Sequence, residues 1–311
     1  MNNSHNLKFI DLFAGIGGFH IAFHNAGCEC VFACEIDKFA RLTYYNNFLK
    51  ISPNLFANNN FFEDIQKVKT EQIPDFDILC AGFPCQPFSQ IGFKNGFLEQ
   101  KENRGNMFFE IIKILQIKKP TAFFLENVRN LKKHDNGKTF DTIKKSINNL
   151  GYSFYYKIIK ASDYGLPQHR PRLFMVGFKN EKNFKDLFNF PDKIPLKYTM
   201  SDIFNGKCSK DIGFTMRVGG RGSKINDRRN WEFYKVNDEI KRITLKEGKL
   251  MQGFPDDFAF PVSEIQAMKQ LGNSVAISAV ETVAKQMVQY IKYGNNNEEK
   301  YQKDLFINYE I

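Results

Sequence analysis

The chain has 311 residues, 42% hydrophobic and 25% charged, enough for one large core with a small appendage and unlike a disordered or fibrous composition. Lys and Arg number 44 against 34 Asp and Glu, a net charge of +10 that favours a polyanionic partner, and no run approaches the ~18 apolar residues of a membrane span. Met1-Asn2-Asn3-Ser4-His5-Asn6 lacks the basic-then-apolar layout of an export signal, so a soluble protein of the cell interior is expected. Six Cys occur without framework spacing, and Cys28, Cys30 and Cys34 fall on or beside a predicted strand, so they read as reduced thiols and not as disulfides or metal ligands.

Over roughly the first 180 residues, short apolar runs alternate with amphipathic stretches. Strands are predicted at Lys8 to Phe13, Cys30 to Cys34, Phe76 to Ala81, Thr121 to Leu125, Ser153 to Ile159 and Arg172 to Phe178. Helices are predicted at Gly18 to Ala26, Lys38 to Asn47, Asn106 to Ile117 and Thr139 to Leu150, which makes a doubly wound α/β domain with a parallel sheet. From Phe184 to Thr244 the alternation fails, and Gly, Asn, Arg and Lys dominate. Lys207 to Lys246 alone holds eleven Lys and Arg against five Asp and Glu, so +6 of the +10 sits there. Helical pattern returns from Val275 to Ile291, and a polar tail begins at Gly294. The expected division is 1–183, a smaller 184–244, a return at 245–293 and a tail at 294–311.

The first strand runs into Ala14-Gly15-Ile16-Gly17-Gly18, glycines placed where backbone approaches a ligand at a strand's carboxyl end. Glu35 lies 20 residues after Gly15, the offset at which an acid meets ribose hydroxyls. His20 stands where a dinucleotide fingerprint wants Gly or Ala, which argues against NAD and for a nucleoside ligand without a pyrophosphate. Asp64-Ile65 can reach an adenine amino group. Farther along, Gly82-Phe83-Pro84-Cys85-Gln86-Pro87-Phe88-Ser89 presents a thiol beyond a strand end, in a loop poor at burying it. Glu126 ends the next predicted strand and would share that crevice, and Gln168-His169-Arg170-Pro171-Arg172 puts two guanidinium groups at the entrance of another.

Phe9-x-Asp-Leu-Phe-Ala-Gly-x-Gly-Gly-Phe19, Gly82-Phe-Pro-Cys-Gln-x-Phe-Ser89, Glu126-Asn-Val128, Gln168-x-Arg-x-Arg172, Gln252-Gly-Phe-Pro-Asp-Asp-Phe258 and Gly272-Asn-Ser-Val275 occur in one order. Together they resemble the bacterial DNA cytosine-5 methyltransferases of restriction-modification systems. The resemblance implies a Rossmann-like S-adenosylmethionine-dependent methyltransferase domain with a smaller target-recognition domain. It also implies double-stranded DNA as substrate, a cognate restriction endonuclease acting on the same site without a stable complex, and a monomer in the bacterial cytoplasm near the nucleoid. Cys85 would be the nucleophile on cytosine carbon 6, Glu126 would hold ring nitrogen 3 and the exocyclic amine, and Arg172 the ring carbonyl, with Arg170 and Gln86 beside them. A flipped base is required. Phe13, Gly15, Ile16, Gly17, Gly18, Glu35, Ile36, Asp64, Ile65, Gly82, Pro84, Met107, Asn273 and Ser274 would form the cofactor site. Ile36 departs from the family, where an aromatic often packs on adenine, and Met107 replaces another aliphatic. Lys246, Gly248 and Lys249 depart from an Arg-Glu-x-Ala-Arg block, which puts helix stability there in doubt.

The loop from Gln86 to Asn103 would close over DNA, with Arg104 anchoring its far end. In the basic region, Thr215 resembles the family residue that contacts backbone near the target. Arg217, Gly220, Arg221, Lys224, Arg228 and Arg229 are expected on the DNA, Arg221 reading a base and Lys224 a phosphate. Two alternatives are a transfer-RNA methyltransferase on the same core, whose Cys-Phe-Thr signature is absent, and a silent DNA-binding module, against which Cys85, Glu126 and Arg172 argue.

Overall fold

The computed structural model describes residues 6–84, 107–179, 187–219 and 222–293. Strands β1 (Lys8–Leu12), β2 (Glu29–Cys34), β3 (Phe61–Phe62), β4 (Ile78–Gly82), β5 (Ala122–Val128), β6 (Tyr155–Lys160) and β7 (Pro171–Phe178) form one sheet in the order β3-β2-β1-β4-β5-β7-β6. Neighbouring residues on a strand face opposite cores. Phe9, Ile78 and Phe124 join one buried cluster, while Ile10, Leu79 and Phe123 join the other. Coverage on both faces is why these strands read as unbroken apolar runs.

The first core is covered by α1 (Gly18–Asn25) and α9 (Ile277–Tyr293), which pack together, so the C-terminal helix returns to the sheet as expected. The second is covered by α4 (Met107–Lys118) and α5 (Lys138–Asn149). Between them the chain also forms α2 (Lys38–Phe48) and the short α3 (Pro53–Ala57). The doubly wound α/β expectation holds, with one correction: β7 runs antiparallel to both β5 and β6. Its connection from β6 spans residues 161–170, with one 3-10 turn, too short for the crossover that parallel neighbours need.

After β7 the segment from residue 187 packs Phe188 against Tyr155, Phe178 and Tyr290. Then come α6 (Met200–Phe204) and a hairpin of β8 (Phe233–Val236) and β9 (Glu239–Arg242), built around buried Trp231, Tyr234 and Met216. Trp231 donates through Nε1 to the Gly219 carbonyl at 3.1 Å, so it anchors this region from inside. The chain closes through α7 (Leu245–Gln252) and α8 (Glu264–Asn273) into α9.

Despite the Lys and Gly departures, α7 forms and is capped at both ends. Glu247 accepts from the Thr244 backbone N at 2.7 Å and from its hydroxyl, capping the start, and Gly253 at φ +80° ends it. Lys249 donates to the Asp256 and Phe258 carbonyls at 2.6 and 3.3 Å. A Cβ on Gly248 would stand 3.0 Å from both Leu271 and Met216, so the glycine lets α7 sit close to its neighbours.

Candidate active site

Strand order reverses between β1 and β4, and at their carboxyl ends opens a cavity of about 670 Å³. Phe13 reaches it from the end of β1, Glu35 from the end of β2, Gly82 and Pro84 from β4, and Glu126 from β5. Arg170 arrives from the last position of the connection before β7, Arg172 from β7 itself, and Asn273 from the end of α8. Gly15, Ile16 and Ile36 also line it. Six segments distant in sequence therefore deliver predicted residues to one space.

At the cofactor end, Phe13 and Gly15 adopt φ of 55° and 56°, turning the chain sharply off β1. Gly17, at φ +84°, is forced: a Cβ there would lie 2.1 Å from the Phe48 ring. Glu35 accepts from Gly15 N at 2.7 Å and from Asp37 N at 2.8 Å, which ties the glycine loop to β2 and leaves lone pairs on both oxygens. Burial raises its pKa above the ordinary value against the lowering effect of those two bonds. His20 is a core residue, bonded to Tyr44 and Ser52 at 2.6 and 2.9 Å and stacked on Phe48, and burial lowers its pKa to about 3, so it is neutral. Beneath the loop, Asp11 is fully buried with neither carboxylate oxygen hydrogen-bonded, and burial holds its pKa well above 3.8.

At the other end, Arg172 Nε pairs with Glu126 Oε1 at 3.0 Å. The other oxygen, Oε2, lies 3.6 Å from where a Cβ on Gly82 would stand, toward the end of β4. Burial raises the Glu126 pKa, against the pull of Arg172 and Arg170, so its carboxyl holds a proton more readily than an ordinary one. Asn127 donates from Nδ2 to the Phe83 carbonyl at 2.9 Å and so fixes the turn through Pro84. Cys85 and Gln86 lie outside the described residues.

Arg170 faces the same cavity but is spoken for. Its guanidinium donates to the carbonyls of Met216, Gly272 and Ser274 at 3.1, 3.0 and 2.5 Å, joining β7 to the basic region and the end of α8. Gln168 accepts from Met216 N at 3.0 Å and donates to the Met251 carbonyl at 2.9 Å, while Gln252 donates to the Leu271 carbonyl at 2.5 Å. These buried amides, and Asn127, escaped notice as site residues because their partners are far away in sequence. The motif blocks that contain them were the available signal.

Other expected residues stand apart from the cavity. Ile65 is buried in the second core, Asp64 accepts from Gln66 N at 3.0 Å, and Met107 packs at the start of α4. Gly18 approaches Ser274 and Val275 behind the loop. In the basic region, Thr215 donates through its hydroxyl to the His169 carbonyl, and Arg217 is exposed. Lys224 and Arg228 are exposed as well, while Arg229 is held by Asp227 at 2.8 and 3.1 Å. Arg104, Gly220 and Arg221 lie outside the described residues.

The profile of the C-5 cytosine-specific DNA methylases matches residues 7–216 and 203–289. The Type II methyltransferase M.DsaV of Dactylococcopsis salina is 38% identical, covering 96% of this chain and 91% of that protein. M.HhaI of Haemophilus parahaemolyticus is 36% identical over 89% of this chain and 93% of its own length. The fold is shared with a putative DNA modification methyltransferase from an Escherichia coli prophage, at TM-score 0.70 and 21% identity over 92% of this chain and 99% of that one. It is shared also with Spodoptera frugiperda DNMT2, at TM-score 0.69 and 18% identity over 91% and 100%. With the family's profile covering nearly the whole chain and relatives this similar along their full lengths, the protein belongs to the C-5 cytosine-specific DNA methylases and is a DNA cytosine-5 methyltransferase.

Proposed function

We propose that the cavity is the chamber in which S-adenosylmethionine methylates carbon 5 of a cytosine extruded from duplex DNA. The carrying observation is the Glu126–Arg172 pair standing in one space with Glu35 and the glycine loop. The lining suits the cofactor: Glu35 can accept from ribose hydroxyls, Phe13 and Phe39 offer aromatic faces, and the acidic Glu35 and Asp37 favour a sulfonium cation over a pyrophosphate. When bound, it supplies an electrophilic methyl group.

The protein's own residues do the rest. Cys85, next after cavity-lining Pro84, adds as thiolate to carbon 6, and the electron pair of the ring's 5,6 double bond moves toward carbon 5. Glu126, with its raised proton affinity, gives a proton to ring nitrogen 3 and offsets the charge that the thiolate brings. Arg172 holds the ring carbonyl and keeps Glu126 in place. After carbon 5 takes the methyl group, its proton passes to solvent, Cys85 leaves as thiolate and ring nitrogen 3 gives its proton back to Glu126, which restores the aromatic ring and the enzyme. In this reading residues 1–183 and 245–293 carry the chemistry and 184–244 choose the site. The Type II names of the relatives support a protective role beside an endonuclease that cuts the same sequence. The methyltransferase is read as a cytoplasmic monomer that meets its DNA at the nucleoid.

The test is a duplex carrying 5-fluorocytosine, whose fluorine cannot leave as a proton does. With the methyl donor present, the protein should form an adduct that survives denaturing electrophoresis. An adduct formed equally by Cys85→Ala would overturn the nucleophile, and bisulfite sequencing of DNA from expressing cells would identify the base and the site.

A further inference from the structure

Helix α2 carries apolar residues on two sides. Ala40, Thr43, Tyr44 and Phe48 turn inward and are buried. On the opposite side Phe39, Leu42, Tyr45 and Leu49 face outward, and with Ile36 before the helix and Ile51 after it each is between 36% and 73% exposed. The outer face of a surface helix is ordinarily polar, and a row of apolar residues there marks a surface that meets another protein. The spacing suits a helix as the partner. Lys38, Leu42, Tyr45 and Leu49 follow one another at intervals of four, three and four residues, the repeat of a helix that packs along one seam against a second.

The row also reads alike from either end. Taken outward from the midpoint between Leu42 and Tyr45, those two apolar residues match each other, Ile36 matches Ile51, and Asp37 stands opposite in sense to Lys50, of the other charge. A surface that pairs with a copy of itself across a two-fold axis must be its own complement, and this one is. Both charges are available for such a contact: Lys50 forms no ion pair with a described residue, and Asp37 uses only Oδ1, which accepts from the backbone N of Phe39 and of Ala40 at 2.8 Å. We propose that two copies of this chain pair through α2, antiparallel across a two-fold axis midway between Leu42 and Tyr45. Leu42 of each copy then packs on the other copy's Tyr45, the stem of Lys38 lies along Leu49, Ile36 meets Ile51, and Asp37 takes Lys50 as its ion partner, each contact occurring twice. One helix from each copy buries less than the ~1,200 Å² of a standard stable interface, so the pairing is reversible, and the monomer read above is its dissociated form.

Sedimentation equilibrium of the full chain over a range of micromolar concentrations reads the pairing directly, and the wild type should shift from monomer to dimer as concentration rises. Leu42→Lys sets a cation against the other copy's Tyr45, and Tyr45→Glu sets a carboxylate against its Leu42, so each variant alone should pair about tenfold or more weakly. Mixed in equal amounts, the two should associate within about threefold of the wild type, because the new cation of one copy then faces the new carboxylate of the other while the second Leu42–Tyr45 contact stays native. Both side chains are exposed, and a folding defect in one variant cannot be mended by adding the other. Lys50→Glu should weaken pairing as well, since it sets like charges together beside Asp37. A wild type that stays monomeric at every concentration would overturn the proposal, as would a mixture no tighter than its two components. So would protection of α2 from hydrogen exchange that does not change with concentration, since a segment of the same chain would then be what covers the row.

Discussion

Arg170→Met is the substitution that most directly tests how this site is built. The three carbonyls that Arg170 serves belong to Met216, Gly272 and Ser274, up to 104 residues away, and Arg170 itself is 2% exposed. Met fills a similar volume but donates nothing. Each buried carbonyl left without a donor costs roughly 1–3 kcal/mol, while removing the cation returns part of its own desolvation cost. The net loss should be about 3–5 kcal/mol, in the range seen when one member of a buried charged contact is deleted. Urea unfolding followed by Trp fluorescence is a suitable assay, because the chain's one Trp, Trp231, is buried in the region that Arg170 tethers. Arg170→Lys should fall between, since one ammonium nitrogen cannot occupy both places from which the two guanidinium nitrogens reach these carbonyls. Arg172→Met should lose methyl transfer more severely and stability less. A loss below about 1 kcal/mol for Arg170→Met would refute the claim that this residue holds the three segments together.

Glu126→Gln keeps the shape but holds no proton to give, so methyl transfer should fall about 10²–10⁴-fold with little change in affinity for S-adenosylhomocysteine by calorimetry; unchanged turnover would remove Glu126 from the chemistry. Gly272→Ala would put a Cβ 2.6 Å from the backbone of Arg217, so it should cost about 1–3 kcal/mol and weaken DNA binding together, and a variant as stable as wild type would contradict that packing. Asp11 is held well above 3.8 chiefly by burial and then by Glu35, so its contribution to stability is full below 3.8 and is lost as pH rises toward the raised value, at about 1.4 kcal/mol per pH unit. Asp11→Asn should remove that slope, and identical pH dependence in urea unfolding at pH 5 and pH 8 would count against it.

The sheet was legible because burial on both faces turns each strand into an apolar run, as at Phe9-Ile10 and Phe123-Phe124, where adjacent residues enter different cores. β3, with two residues, and α3 and α6, with five each, are too short to impose a period. The reversal of β7 left no mark on its own composition, since an apolar strand looks the same in either direction; its trace lay in the short connection before it. The glycine loop and Glu35 were readable from spacing, because both ends of that contact sit at fixed places in one β-α-β unit. Gly248 read as a weakness because its reason, the approach of Leu271 and Met216, is tertiary. His20 stands where a dinucleotide fingerprint wants a small residue, and the structure shows what the imidazole does there: Tyr44, Ser52 and Phe48 enclose it as part of the core.

Arg170 and Arg172 show most clearly where sequence reading stops. Two residues apart, on either side of Pro171 where β7 begins, they line the same cavity, and as letters they look like one feature. Depth separates them. Arg170 is buried and gives its donors to the backbones of three other segments, whereas Arg172, nearer the mouth, pairs with Glu126. Both cations pull the Glu126 pKa down, yet burial outweighs them and the net shift is upward. That balance is what the proposed chemistry needs: a carboxyl held in place by one guanidinium, on a floor locked by another, and still able to carry a proton to a base. A pattern of charges alone would have placed the Glu126 pKa below the ordinary value, because the desolvation that reverses the sign exists only once β5, β7 and α8 have closed around it.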